Sequence, residues 1–314
     1  LHSIADLVQV EKPLHLALGV FDGVHLGHRA VIGAMVEGAR GSGGLAGVLT
    51  VEPHPIQVLA PDRAPRRILA TIGHKERLLA ELGVEVLVVV PFTRALAERP
   101  ASEFAAELLG APVLRQVSMG EDWKFGRGRT GTVELLRSIG QEVGVEVIPA
   151  APVMLDGERI SSTRIRQALR DGNLQAAAAM LGRPYSVFGA VARGEQLGTQ
   201  LGAPTANIEV GNEQLPPDAV YATLTFAAGE WRPGGANLGV RPTVDGKRRL
   251  LEVHLFDFEG DLYGQDVEVR FGRRLRGEQT FADLDALRAQ IAMDVETGRR
   301  LFAEGTAMNA QGGR

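Results

Sequence analysis

Short apolar runs alternate with longer amphipathic stretches through the first half of the chain. The apolar runs predict strands at Leu14–Val20, Leu45–Val51, Glu85–Val90, Val113–Ser118 and Val145–Pro149. The amphipathic stretches predict helices after Gly27, at His74–Leu82, near Ser102 as an N-cap, and from Thr132. Strands that alternate with helices predict an α/β fold with a parallel, doubly wound sheet, in which ligands bind at the carboxyl ends of the strands.

The second half of the chain has a different pattern. Two more helices are predicted, at Thr163–Leu169 and Leu174–Leu181, and Gly182–Tyr185 then breaks the helical spacing. The strands predicted beyond this break are Tyr185–Val191, Val220–Ala227, Leu250–Phe256 and Val267–Phe271. One long amphipathic helix follows at about Phe281–Phe302. We therefore expect a small antiparallel β-barrel closed by a helix.

The change of pattern predicts a domain boundary near residue 182. A chain of 314 residues is long enough to form two domains, each with its own hydrophobic core. We expect a first domain over residues 1–182, a second over 183–305 and a disordered tail over 306–314.

Composition narrows the classes of function. A net charge of -4 speaks against binding nucleic acid through bulk electrostatics. The absence of cysteine excludes disulfides and thiolate metal sites, and it fits a reducing compartment. The longest aliphatic run, Val84–Val90, contains Glu85 and is too short to cross a bilayer. We expect a cytoplasmic protein, monomeric or weakly homo-oligomeric, with no nucleic-acid or membrane partner.

Two histidines lie directly after the first predicted strand, where the first helix begins. His25 and His28 enclose Leu26 and Gly27. A helix N-terminus offers unpaired N–H groups and a positive dipole end to a phosphate, and glycine permits close approach. Imidazole donors there would stabilise charge that develops on phosphorus. Two ordinary turn histidines are the alternative, which the position after a strand disfavours.

A second candidate phosphate cradle lies at the start of a later helix. It consists of Ser161, Ser162, Thr163 and Arg166, which place hydroxyls at the helix start and a guanidinium on its first turn. Taken alone, an ordinary N-cap with a solvated arginine would be the better interpretation.

Together the two motifs resemble those of the HxGH nucleotidyltransferase superfamily. The longer string Gly19–His28 resembles the FMN adenylyltransferase module of bacterial FAD synthetases, as do Thr50–Pro55 and Gly120–Gly131. The chain departs from that family at Val20, Val51 and Trp123, and these departures leave both phosphate motifs intact.

The resemblance implies that the phosphate of FMN attacks the α-phosphorus of ATP and releases pyrophosphate, with no covalent intermediate. It implies catalytic roles for His25 and His28 at the α-phosphate. The residues it implies for ATP binding are Gly19, Phe21, Asp22, Gly27, Ser161, Ser162, Thr163 and Arg166. Those implied for flavin binding are His54, Asp122, Phe125 and Arg129. For His54, which stands between two prolines, a purely structural role is equally open.

The second domain opens with glycines that lead into Pro204–Asn207. Gly194, Gly198 and Gly202 permit turns whose N–H groups face an anion, although hairpin turns are the commoner use of such glycines. There is no Walker A motif, because Gly246 and Lys247 are followed by arginine and lack the upstream glycine. A kinase here would need a different phosphate cradle.

Pro204–Asn207 resembles the riboflavin kinase family. Further segments carry the same resemblance: Gly239–Thr243, Leu251–Leu255, Asp257–Phe258, Leu262–Gly264 and Leu275–Glu278. It implies that Thr205 and Asn207 serve Mg²⁺ and the ATP phosphates, and that Glu252 is the base for the riboflavin hydroxyl. It also implies ATP contacts from Gly194, Gly198 and Gly202, and flavin contacts from Arg276 and Glu278. Without the family, a strand carboxylate paired with arginine would be the better interpretation of Glu252.

The sequence thus predicts a bifunctional enzyme that uses ATP and Mg²⁺. It would bind riboflavin, FMN, FAD, ATP, ADP and pyrophosphate. Departures from the kinase pattern at Thr199, Ala203 and Ala219 keep a second hypothesis open, in which the barrel only binds flavin. A third hypothesis gives the nucleotidyltransferase another acceptor, such as a pantetheine or nicotinamide phosphate, and the attached kinase-like domain disfavours it.

Overall fold

The computed structural model describes residues 1–65, 67–193, 203–243 and 246–308. The chain forms two compact units, of which the first holds residues 1–66 and 75–161 and the second holds 67–74 and 162–314. The chain therefore passes from one unit to the other three times. Residues 162–181 form two helices that group with the second unit, although the predicted change of pattern lies near 182. Gly172 lies close to Pro217 of that unit, where an added Cβ would be 3.3 Å from the proline ring.

The first unit contains a five-stranded sheet. The elements of this unit are β1 (Leu14–Leu18), α1 (Leu26–Ser42), β2 (Leu45–Glu52), α2 (Pro55–Leu59), α3 (Ile72–Ala80), β3 (Val86–Pro91), α4 (Arg94–Ala97), α5 (Ala101–Leu109), β4 (Leu114–Gly120), α6 (Val133–Val143), β5 (Glu146–Ala150) and the hairpin β6 (Met154–Leu155) and β7 (Glu158–Arg159). The first three residues of α3 group with the second unit. The sheet order is β3-β2-β1-β4-β5, and every neighbouring pair is parallel. This confirms the predicted doubly wound sheet.

Helix capping explains where two of these helices begin. The helix predicted to start at Thr132 is α6, and Thr132 is its N-cap, because the Thr132 hydroxyl accepts a hydrogen bond from the amide of Leu135. The predicted N-cap at Ser102 is wrong, since α5 begins at Ala101 and Pro100 takes the cap position. Proline fixes its own φ in a range that suits the start of a helix, so the helix begins earlier than the serine suggests.

The order of the strands reverses between β1 and β4. In an open parallel sheet such a switch point leaves a crevice at the carboxyl ends of the strands, and ligands bind there. The loop that carries His25 follows β1, and the loop that carries Asp122 follows β4. The fold therefore brings two of the motif-bearing loops to one edge of the sheet.

The second unit is built around a barrel. Its elements are α7 (Ser162–Arg170), α8 (Leu174–Leu181), β8 (Ser186–Ala192), β9 (Ala206–Val210), β10 (Ala219–Ala227), β11 (Glu230–Thr243), β12 (Gly246–Leu255), β13 (Asp266–Gly277) and α9 (Leu284–Ala303). The strands close in the order β10-β11-β12-β9-β8-β13, with antiparallel neighbours. This confirms the predicted barrel and its final helix. Within the described residues, no helix is long and apolar enough to span a membrane.

The segment Arg67–His74 packs within the second unit through a buried carboxylate. Glu213 is fully buried, and its Oε1 accepts hydrogen bonds from the Thr71 amide at 2.7 Å and from His74 Nδ1 at 2.9 Å. Its Oε2 accepts from the amide of Phe188 in β8 at 2.9 Å. These bonds satisfy a group that would otherwise be costly to bury, so a segment between β2 and β3 in sequence is held by the barrel.

Ordered contacts continue beyond the predicted end of the second domain at residue 305. Ala307 is 1% exposed; its amide donates to Leu301 and its carbonyl accepts from Arg273. Ala307 of the predicted tail therefore packs within the second unit, and residues 309–314 lie outside the described part of the chain.

Candidate active sites

The loop between β1 and α1 is buried and strained. Phe21 and Val24 have φ values of 50° and 44°, in the left-handed region that L side chains rarely adopt. Each is only 1% exposed, so the burial of two apolar side chains offsets the backbone strain. Strain of this kind costs on the order of 1–3 kcal/mol per residue and clusters at functional sites.

His25 and His28 meet at the N-terminus of α1. His25 is the N-cap, and its Nδ1 accepts a hydrogen bond from the His28 amide at 3.3 Å. The neutral tautomer that fits this bond carries its proton on Nε2, where it can be donated to an anion. The two rings are stacked, with centroids 3.5 Å apart. A Cβ at Gly27 would be 3.1 Å from His25 Cε1, so glycine lets the ring fold over the first helical turn.

The other predicted residues of this loop form its wall. The Phe21 ring lies over Gly19, where an added Cβ would be 3.0 Å from Phe21 Cζ. The edge of the same ring faces His28, at 5.3 Å between centroids. Asp22 is 4% exposed. The loop thus gathers Gly19, Phe21, Asp22 and both histidines into one structure.

The loop after β4 is closed by an ion pair that the motifs did not predict. Arg159 Nη2 donates to Asp122 Oδ1 at 3.0 Å, and its Nη1 pairs with Asp122 Oδ2. Hydrogen bonding to Arg159 holds the pKa of Asp122 below its usual value. Both side chains are about half exposed, at 55% and 52%. The sequence signal that could have indicated this pair is that Arg159 lies only two residues before Ser161, in the second phosphate motif.

Three more candidate flavin residues have structural contacts. Phe125 is 8% exposed and packs against Trp123 and Phe104, with centroids 4.9 and 5.4 Å away, so its ring belongs to the core. Arg129 is exposed. His54 caps α2, since its Nδ1 accepts from the Ile56 amide at 3.3 Å. Flavin contacts by these side chains stay a prediction.

The second phosphate motif is divided by the boundary between the units. Ser161 ends the first unit, whereas Ser162, Thr163 and Arg166 stand in the first turns of α7 in the second. Arg166 is 8% exposed. That these residues meet the nucleotide at the histidine pair stays a prediction.

The barrel unit contains a cavity of about 350 Å³. Its apolar walls come from strands and from α9, through Ala203, Val220, Phe256, Leu275, Phe281, Leu287, Ile291 and Val295. Its polar lining includes Thr205, Asn237, Glu252, His254, Arg276, Glu278, Gln279 and Asp294. Apolar walls with a few convergent polar groups are typical of a small-molecule site. The cavity contains four of the predicted kinase residues, Thr205, Glu252, Arg276 and Glu278.

Strand register places three polar residues in one row across the barrel. Glu252 on β12 lies opposite Asn207 on β9 and opposite Asn237 on β11. Directly opposed residues project on the same side of a sheet and interact. Asn237 was not predicted, because its signal is its register and not a local motif. Asn207 belongs to the row, although it is not among the described residues that line the cavity.

A histidine ties the Pro204 turn to the strand that carries Glu252. His254 Nδ1 donates to the carbonyl of Pro204 at 2.8 Å, next to Thr205. Ala203, a departure from the family pattern, is 5% exposed and lines the cavity. Gly194, Gly198, Thr199 and Gly202 lie outside the described residues.

The two predicted flavin residues of β13 and its following loop have different settings. Arg276 Nε donates to Asp294 Oδ2 at 2.9 Å, which joins the strand to α9. Glu278 lies against Gly239, where an added Cβ would be 2.0 Å from its Oε1. Glycine at this position of β11 lets the carboxylate lie directly against the strand, and any larger residue would require Glu278 to move.

No group of three or more histidine, cysteine, aspartate and glutamate side chains in the described residues is arranged to hold a metal ion.

Comparison with known proteins gives a separate family match for each half of the chain. Residues 8–164 match the family model for FAD synthetase, and residues 181–302 match that for riboflavin kinase. A bifunctional riboflavin kinase/FMN adenylyltransferase of Escherichia coli (strain K12) is 42% identical over 289 residues, which cover 91% of this chain and 92% of that protein. The one from Bacillus subtilis (strain 168) is 33% identical and covers 92% of each chain.

A crystal structure from Streptococcus pneumoniae, described as a macrolide-efflux protein, is similar over 92% of this chain and 94% of its own. The TM-score is 0.78 and the sequence identity is 32%. That name describes transport, whereas the family models and the sequence relatives describe two transferases. The chain belongs to the family of bifunctional riboflavin kinase/FMN adenylyltransferases.

Proposed function

We propose that this protein phosphorylates riboflavin to FMN in its barrel and adenylylates FMN to FAD in its parallel-sheet unit. The observation that carries the proposal is that each family match coincides with one fold. The FAD synthetase match covers the parallel sheet, and the riboflavin kinase match covers the barrel. In each fold, the residues expected to react lie where such folds commonly bind ligands, at the switch point of the sheet and in the barrel cavity. A barrel that only binds flavin is not favoured, because the relatives named above carry both activities in their names.

In the adenylylation step, an FMN phosphate oxygen attacks the α-phosphorus of ATP, and the bond to the bridging oxygen of pyrophosphate breaks. His25 and His28 would stabilise the charge on the α-phosphate from the N-terminus of α1. The stacked rings and the strained loop support this assignment, because they fix both imidazoles before substrate arrives.

Other residues of this step would bind rather than react. Ser161, Ser162, Thr163 and Arg166 would hold the leaving pyrophosphate. Gly19, Phe21, Asp22 and Gly27 would shape the nucleotide site, and Asp122, with His54, Phe125 and Arg129, would contact the flavin or nucleotide. The burial of Phe125 supports a packing contribution beneath the ligand.

In the kinase step, the hydroxyl of riboflavin attacks the γ-phosphorus of ATP, and ADP leaves. Glu252 would accept the hydroxyl proton. Its position on the cavity wall, together with Arg276 and Glu278, supports this role. The apolar walls suit a flat isoalloxazine ring, and the glycines at 194, 198 and 202 would contribute to the ATP cradle.

The barrel residues also suit Mg²⁺. The Thr205 hydroxyl and the Asn207 amide are oxygen donors, and Mg²⁺ is usually bound by few protein oxygens together with waters and substrate phosphates. The ion would neutralise charge on the ATP phosphates. The row formed by Asn207, Glu252 and Asn237 supports this assignment, since it brings hard oxygen atoms to one place.

We further propose a cytoplasmic location and a monomer or weak homo-oligomer, with no nucleic-acid or membrane partner. The absence of cysteine and the modest negative charge support this assignment.

The test is chromatographic analysis of products after incubation with riboflavin, Mg²⁺ and ATP. The proposal expects FMN, followed by FAD. Untouched riboflavin, with FAD formed from supplied FMN, would mean that the barrel binds flavin without phosphorylating it. A mixture of acceptors, including pantetheine and nicotinamide phosphates, should yield FAD as the adenylylated product.

A further inference from the structure

A buried lysine contacts the backbone at the start of the strained loop between β1 and α1. Lys75 lies in α3, within the first unit, and is 3% exposed. Its Nζ is 3.5 Å from the carbonyl oxygen of Val20 and 3.7 Å from Glu52 Oε2. Lysine is rarely so completely buried unless it is paired, so this side chain needs an explanation.

The carbonyl of Val20 is held from two directions. Thr50, which is fully buried on β2, donates its hydroxyl to this carbonyl at 3.0 Å. Lys75 approaches the same oxygen from α3. Val20 immediately precedes Phe21, where the backbone enters the left-handed region, so the anchor stands at the start of the strained loop.

Charge adds to this anchor. Burial lowers the pKa of Lys75, and the carboxylates of Glu52 and Asp22 oppose that effect. Asp22 belongs to the strained loop and Glu52 ends β2. The ammonium group therefore lies 3.5 Å from a backbone carbonyl at the start of the strained loop and 3.7 Å from the carboxylate at the end of β2.

We propose that Lys75 is a positioning residue of the adenylylation site. Its ammonium group holds the Val20 carbonyl beside Glu52, and so fixes the loop that presents His25 and His28. The proposal rests on the proposed adenylylation at that histidine pair. Lys75 contributes to the rate through the histidines and does not contact substrate.

The test compares Lys75→Met with Lys12→Met, an exposed lysine of the same unit, in the full chain. FAD formation from FMN and ATP is measured beside FMN formation from riboflavin and ATP. Because a displaced catalytic group costs about 10²-fold, Lys75→Met should lower kcat for FAD formation by that order. KM for FMN and ATP should stay within about threefold, since the substrate contacts are intact. Riboflavin phosphorylation and the Lys12→Met enzyme should be unchanged.

Lys75→Arg keeps the charge and should recover most of kcat. If Lys75 only filled space, the charge would not matter and arginine would have no advantage over methionine. An unchanged kcat in Lys75→Met, a rise in KM alone, or an equal loss of both activities would each overturn the proposal. If Lys75→Met does not fold, Glu52→Gln tests the same anchor at a side chain that is 38% exposed. A selective loss of FAD formation would support the anchor, and wild-type activity would overturn it.

Failure of the function itself is distinguishable. A wild-type protein that makes no FAD from FMN would overturn the proposed adenylylation. FAD formation by the wild-type protein, with unaltered activity in Lys75→Met, would overturn only the role of the lysine.

Discussion

The two candidate sites are built in different ways. In the parallel-sheet unit, the string Gly19–His28 supplies the strained loop, the helix cap and both imidazoles from consecutive residues. In the barrel, Asn207, Asn237 and Glu252 are distant in sequence and meet because three strands are in register. A substitution in the first site should act through the shape of a loop. A substitution in the second should act only through the side chain it replaces.

The largest expected effect is in the barrel. Glu252→Gln keeps the size of the side chain but removes its ability to take a proton, so FMN formation should fall by about 10²–10⁴-fold. Adenylylation of supplied FMN should be unaffected. Both rates can be measured chromatographically in one preparation, with the exposed Glu259→Gln as the control. Wild-type FMN formation in Glu252→Gln would remove the assigned base.

The matching change in the sheet unit is His28→Ala. Loss of one preorganised donor at a phosphorus centre should lower FAD formation by about 10²–10³-fold, while FMN still accumulates from riboflavin. His2→Ala, an exposed histidine of the same unit, is the control. If His28→Ala removed both activities with folding intact, the two sites would not be separate and the comparison would fail.

Gly27→Ala tests whether the first site depends on loop shape. The added methyl would lie 3.1 Å from the His25 ring and push it from its stacked position, so FAD formation should fall by about 10-fold. Gly33→Ala in the same helix is the control, because a Cβ there meets nothing within 4 Å. Equal rates in the two variants would show that the stacking of His25 has no catalytic value.

The smallest expected effects are on stability, when the ion pair at each site is broken. Arg276 and Asp294 are 18% and 15% exposed, whereas Arg159 and Asp122 are 52% and 55% exposed. Asp294→Asn should therefore destabilise the barrel by about 1–3 kcal/mol, and Asp122→Asn should destabilise the sheet unit by less than about 1 kcal/mol. The reverse order would contradict this dependence on burial.

The two tryptophans allow each unit to be followed separately. Trp123 lies in the sheet unit and Trp231 in the barrel, so single-tryptophan variants report denaturant unfolding of one unit at a time. The pKa of Asp122 is lowered in the folded state. Its contribution to stability should be complete above the ordinary aspartate pKa and disappear as pH falls through the lowered value. The difference between wild type and Asp122→Asn should vanish there.

The local features were predicted from sequence, and the features set by tertiary structure were not. The helix starts near His25 and at Thr132 each follow from a few adjacent residues, and both halves of the fold follow from periodicity. Strand β11 was missed because Pro233, Gly234 and Gly239 are typical of turns. In the barrel the two glycines instead allow close approach, of the His254 carbonyl to Gly234 and of Glu278 to Gly239.

Residues that act by contact with distant partners carried no local signal. Asn237 depends on its strand register, and Lys75 was only one of four lysines in the chain until α3 placed it beside Val20. Ser102 shows the opposite error, since a favourable cap residue was displaced by Pro100. The site roles themselves stay predictions that the variants above test.

The segment Arg67–His74 has a consequence for the order of events during synthesis. The buried acceptor of His74 is Glu213, which leaves the ribosome 139 residues later. Domains generally fold in order as they emerge, yet this segment obtains its hydrogen-bond acceptor only when the barrel is being made. The segment therefore waits for the second half of the chain, and a fragment ending at residue 182 would lack the carboxylate that holds it.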